Sequence, residues 1–204
     1  MNDPRASQLA AYIQSLPDFV FVTPSGSYQH MGATITDAIL QSGLNYERTV
    51  RPRVEQLRRT HPQANTTSSF RVLLASVDPY ELLNLRGRKV DWILAVTDFF
   101  AERGIEIEAD LYSWFVNEPT NVITIQQLRG VKTKTANYFK LLCGISDAVA
   151  IDTHLRTFLQ TAGVPALNDH DAGAIISAAA GLLKVNSATL DASIWSYQSS
   201  RSRR

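Results

Sequence analysis

Gly130 to Ala136 reads GVKTKTA, with two lysines one residue apart, and further on VAIDTH delivers Asp152 to the mouth of another helical pattern. A lysine amine either attacks an electrophilic carbon or holds an anion, and residue type alone does not say which Lys132 or Lys134 does. Gln127 to Gly130 reads as a helix end and a tight turn, after which Ala136, Phe139 and Cys143 recur at helical spacing. That is a helix-hairpin-helix shape. The amides at the start of its second helix, near Lys132, Thr133 and Lys134, lack intrahelical partners, and the helix dipole favours an anion such as a DNA phosphate there. Asp152 has two compatible roles: its carboxylate can cap a helix and can face a positive charge developing in a cleft.

The elements that must position these groups are bounded by composition. A chain of 204 residues holds one substantial core or two small subdomains sharing a cleft. The net charge of +1 is too mild to argue nucleic-acid binding by itself, but basic residues gather in RTVRPRVEQLRR, LRGVKTKTANYFK and the terminal RSRR. Cys143 is the only cysteine, which excludes a disulfide framework, a thiolate zinc site or an iron–sulfur cluster built from this chain alone. His30, His61, His154 and His170 show no metal-ligand spacing, so no catalytic metal is expected. No apolar run suits a membrane span, and the N-terminus lacks the order of a secretory signal, which leads to the expectation of an intracellular protein.

The periodicity is helical almost throughout. Val90, Ile93, Leu94, Thr97, Phe100 and Ala101 form one stripe that stops at Gly104, and Ile175, Ile176, Ala179, Leu182 and Leu183 form another behind Asn168 and Asp169. Further helices are expected near 4–16, 31–43, 46–59, 68–76, 108–117, 134–143, 153–162 and 188–198, with Pro52 either starting a helix or kinking one. Strand signals are few: DFVFVT at 18–23 alternates weakly and ends in PSGS, so it reads as either a short extended piece or part of a loop.

LRGVKTKTA followed by VAIDTH resembles the helix-hairpin-helix DNA glycosylase superfamily of endonuclease III and the 8-oxoguanine glycosylases, and the interval from Lys134 to Asp152 is that of the superfamily. AILQSGLNYERTVRPRVEQL is similar to its early helix, RGRKVDWILAVTDFF to its R-K-A-x-x-I helix, and LDASIWSYQSSRSRR to the tail of the archaeal-type 8-oxoguanine DNA glycosylases. The resemblance implies an all-α fold in which two helical subdomains flank a DNA-binding cleft. Residues 31–144 would form one subdomain, including the hairpin at about 124–144, and 1–30 with 145–204 the other.

It also implies roles. Lys134 matches the nucleophile that forms a Schiff base, and Asp152 the aspartate that stabilises an oxocarbenium-like transition state. Gly130, Val131, Lys132 and Thr133 would grip DNA, while Leu44 and Asn45 are the candidates to fill the gap left by a flipped base. His154 either touches a phosphate or is partly buried and bonded to backbone, and Trp92, Trp114 and Trp195 either stack on the flipped base or belong to the core. Trp195 and Arg204 are the pocket candidates. No organic cofactor or iron–sulfur cluster is implied, and the carbonyls of Leu128, Gly130 and Val131 stand where relatives hold a monovalent cation. The implied activity is a base-excision glycosylase and AP lyase on double-stranded DNA, acting on 8-oxoguanine as a monomer. The alternatives are a monofunctional glycosylase for another modified base and a catalytically silent DNA-binding module.

Two positions depart from the pattern. Lys132 replaces the second hairpin glycine, from which a strained turn or an altered hairpin is expected. Arg204 ends the chain where the relatives have a lysine.

Overall fold

All ten residues of Met31–Leu40 are buried, including Thr34, Thr36 and Asp37, and a helix without an exposed face must lie inside its domain. In this computed structural model, which describes residues 3–24 and 26–201, the helix is α2 of an all-helical chain. The others are α1 (Pro4–Ser15), α3 (Arg51–Thr60), α4 (Thr67–Ser76), α5 (Pro79–Leu82), α6 (Arg88–Ala101), α7 (Glu108–Asn117), α8 (Asn121–Ile125), α9 (Thr133–Leu142), α10 (Thr153–Thr161), α11 (Asp169–Leu182) and α12 (Ser187–Arg201). Among the described residues there is no β-strand, and of the two readings of 18–23 the loop is the one found. The segment is extended without a ladder partner, and its Val22 amide donates to Ser193 Oγ at 3.0 Å. No single helix among the described residues is long and apolar enough to cross a membrane.

The chain divides into two compact units, one of residues 26–144 and one of residues 1–25 with 145–204. In the central unit α2 packs against α3, α4, α6 and α9. His30 caps α2: its Nδ1 accepts the Ala33 amide at 3.0 Å and its Nε2 donates to the His61 carbonyl at 3.0 Å, which fixes the ring's tautomer. The buried Glu108 carboxylate takes the His30 amide at 2.9 Å and the Thr34 hydroxyl at 2.8 Å. The unit begins ahead of Met31 because Tyr28 and His30 both bond into it. Between Asn45 and α3 lies a five-residue π-helical turn, Tyr46–Val50, in place of the even helix expected over 46–59. Pro52, in the first turn of α3, has no amide for the ladder and its ring crowds the preceding turn, so the chain widens before it.

In the terminal unit the core joins Leu9 and Ile13 of α1, Leu155, Phe158 and Leu159 of α10, Ile175 and Ile176 of α11, and Leu190 and Ile194 of α12. Arg5 ties the N-terminal helix to α11 through a bidentate pair with Asp171, at 2.8 and 2.9 Å.

Candidate nucleic-acid interface and catalytic groups

Between α8 and α9 the chain turns at Gly130, whose φ of +87° favours glycine. A second constraint acts on it. A β-carbon there would stand 2.2 Å from Cδ2 of Trp92, so the indole is packed directly on the turn. Trp92 therefore builds the hairpin, and Trp114 lies among Phe99, Phe100 and Phe115, with ring centroids 5.0 to 6.4 Å apart. Neither stands free to receive a base.

The strain expected at Lys132 is absent. This residue adopts φ −113° and ψ −178°, ordinary extended backbone open to any side chain, because Gly130 alone absorbs the positive φ. Lys132 and Thr133 are exposed, and no side chain caps the first turn of α9. The leading amides of this ten-residue helix are thus left to an anion. The Leu128 carbonyl accepts the Val131 amide at 3.1 Å and keeps a second lone pair.

Lys134, half-buried in the first turn of α9, points its amine at the end of α2, where Nζ donates to the Gln41 carbonyl at 3.3 Å. Lys89 of α6 converges on the same end, donating to the Ile39 and Ser42 carbonyls at 2.9 and 2.5 Å. Orphan carbonyls and the helix dipole draw both cations there. Burial first, and then the charge of Lys134, lower the Lys89 ammonium to about 8.

Behind Gln41 lies a polar network that the sequence reading did not single out. Gln41 Nε2 donates to the Tyr138 hydroxyl at 2.6 Å, and the hydroxyls of Tyr138 and Tyr28 donate to Asp37 Oδ2 at 3.2 and 2.7 Å. Asp37 is fully buried, and its Oδ1 has no hydrogen-bond partner among the described residues. A carboxylate inside an otherwise apolar helix was the available signal. Burial pushes Asp37 up to about 6, against an ordinary 3.8, and the hydrogen bonds from Tyr28, Tyr138 and Gln41 offset part of that rise.

The folded state thus holds this proton more tightly than the unfolded chain. The resulting stabilisation is complete below pH 3.8 and lost as pH rises through about 6. A gap of roughly two pH units corresponds to about 3 kcal/mol. Asp37→Asn, which keeps an acceptor without the charge, is therefore expected to gain about 2 to 3 kcal/mol relative to wild type between pH 4 and pH 7.5. Urea unfolding at the two pH values measures this, and an equal difference at both would contradict it.

Of the wedge candidates, Asn45 is exposed but caps the π-helical turn, its Oδ1 accepting the Arg48 amide at 2.9 Å, and Leu44 is half-buried. The structure brings both into the central unit with Gly130, Val131, Lys132, Thr133 and Lys134.

Asp152, His154 and Trp195 belong to the terminal unit. Asp152 Oδ1 accepts the Leu155 amide at 3.0 Å and so caps α10. Its approach is anchored by the C-terminal helix: Asp191 Oδ2 takes the buried Ala150 amide at 2.8 Å, while Leu190 and Ile194 enter the core. His154 meets Trp195 edge to face, centroids 6.0 Å apart, and both are half-buried. The L-D-x-x-I-W pattern of the tail thereby acquires a physical reason: its aspartate, isoleucine and tryptophan hold the segment that presents Asp152. Arg204 lies outside the described residues.

Comparison with known proteins adds one match and one absence. The family model of a domain of unknown function, DUF8548, matches residues 7–199. No curated protein matches.

Proposed function

The chain belongs to the DUF8548 family, and we propose that it is a helix-hairpin-helix DNA glycosylase with AP lyase activity, acting in base excision repair. The observation that carries the reading is Lys134: an amine in the first turn of α9, shortly after a turn that favours glycine, held among the described residues by a single long hydrogen bond. The uncapped amides of α9 and the exposed Lys132 and Thr133 supply an anion grip that suits a phosphate beside the lesion. The carbonyls of Leu128, Gly130 and Val131 would hold a monovalent cation if one binds, and it would add positive charge to this grip.

In the proposed reaction Lys134 Nζ attacks C1′ of the damaged nucleotide. The new N–C bond forms as the glycosidic bond breaks, and the base leaves with a proton. Ring opening gives the Schiff base. Loss of a C2′ proton then expels the 3′ phosphate by β-elimination, and water releases the lysine. Asp152 faces the oxocarbenium-like charge that develops in the first step, while its cap bond to Leu155 fixes its rotamer. The motif and tail favour 8-oxoguanine as the base.

A panel of duplexes bearing 8-oxoguanine opposite each base, thymine glycol, uracil or an abasic site tests this. Base release is expected to be fastest from 8-oxoguanine, with release and nicking lost in Lys134→Ala. No release from any duplex would leave a silent DNA-binding module. Release that survives Lys134→Ala would make the enzyme monofunctional, with water as the nucleophile.

A further inference from the structure

Lys89 and Lys134 compete for one helix end. The last carbonyls of α2 lack intrahelical partners, and the dipole there attracts cations. Lys89 takes the Ile39 carbonyl at 2.9 Å and that of Ser42, just past the helix, at 2.5 Å, whereas among the described residues Lys134 has only the Gln41 carbonyl, at 3.3 Å, near the long limit for such a bond. Neither lysine forms an ion pair with a carboxylate among the described residues. The groups beyond Gln41 are Asp37, Tyr28 and Tyr138, with Tyr46 bonded to Tyr28. Lys89 also lies 5.4 Å from the centre of the Trp92 ring, the ring packed on Gly130, so α6 braces both the hairpin turn and the end of α2.

We propose that Lys89 is a positioning residue for Lys134: by occupying the Ile39 and Ser42 carbonyls it keeps the Lys134 amine from being drawn into the end of α2. An ammonium has three donors, and one with several buried carbonyls within reach stays protonated and bonded, its lone pair engaged. With Lys89 in place the Ile39 and Ser42 carbonyls are engaged, and like charge opposes closer approach of Lys134. Lys134 is then left on one long bond and remains reactive. This assignment rests on the reading of Lys134 as the nucleophile, but its test does not need DNA.

The test is the rate of reductive methylation at Lys134 in the free protein, with formaldehyde and cyanoborohydride, resolved by peptide mass spectrometry. The exposed Lys184 serves as internal reference. Lys89→Met, which keeps the stem and frees the carbonyls, is expected to lower the relative rate at Lys134 on the order of tenfold, the equivalent of about 1.4 kcal/mol. Lys89→Arg keeps a cation on those oxygens and is expected to stay within about threefold of wild type. An unchanged or faster rate in Lys89→Met would overturn the proposal. So would an equal loss in both variants, and if Lys89→Met fails to fold, Lys89→Arg alone decides by the same threefold bound. Absence of lesion processing by the wild type would overturn the glycosylase reading and leave the methylation result standing.

Discussion

Replacing Asp152 by asparagine is expected to lower single-turnover base release by about 10²- to 10³-fold while leaving duplex affinity within about threefold. The reason lies in what the substitution keeps. Asparagine retains an oxygen that can accept the Leu155 amide at 3.0 Å, so α10 remains capped and the segment held by Asp191 is unmoved. What disappears is a full negative charge, whose value is greatest when the sugar becomes positive and small in the ground-state complex. Asp152→Ala separates the roles further, since it also removes the cap and is expected to cost about 1 kcal/mol of stability. Rapid-quench kinetics with a parallel binding titration give both quantities. If asparagine weakened binding and turnover equally, Asp152 would be architectural.

Gly130→Ala is the second large effect, and it falls on stability. Two terms act together: an L-residue at φ +87° costs about 1 to 2 kcal/mol, and a β-carbon 2.2 Å from Trp92 forces the indole or the turn to shift, for roughly another 1 to 3 kcal/mol. The sum, about 3 kcal/mol, lowers the melting temperature by roughly 6 to 12 °C in a chain of this size. Gly43→Ala is the control. Its φ is +86°, but nothing lies within 4 Å of the added carbon, so only the first term applies. Thermal unfolding of the two variants tests the close packing of Trp92 on the hairpin, and equal shifts would contradict it.

The helices were legible because apolar residues recur at their period over three or more turns, as along Val90 to Ala101. α5, with four residues, is too short to display a period and was missed, while α8, with five, was read only as a helix end ahead of Gly130. The turn ahead of α3 was read as an even helix because periodicity does not distinguish an i−5 bond, here Arg51 to Tyr46, from an i−4 bond.

At the hairpin, sequence identified the glycine but not its second constraint, since Trp92 reaches Gly130 from a distant helix. Substitution of the other hairpin glycine by Lys132 suggested strain, yet backbone angles follow from where the turn is absorbed, and Gly130 absorbs it alone. Lys89 and Tyr138 were invisible, and Asp37 visible only as a carboxylate in a mostly apolar helix, for a related reason. Each looks like an ordinary member of its own helix, and only packing turns them into one network behind Gln41.

Borohydride trapping on a duplex carrying 8-oxoguanine opposite cytosine tests the central claim most directly. The account predicts a covalent protein–DNA adduct with the wild-type chain that mass spectrometry maps to Lys134, and none with Lys134→Ala. An adduct mapped to another residue, or no adduct from a wild-type protein that releases the base, would contradict it.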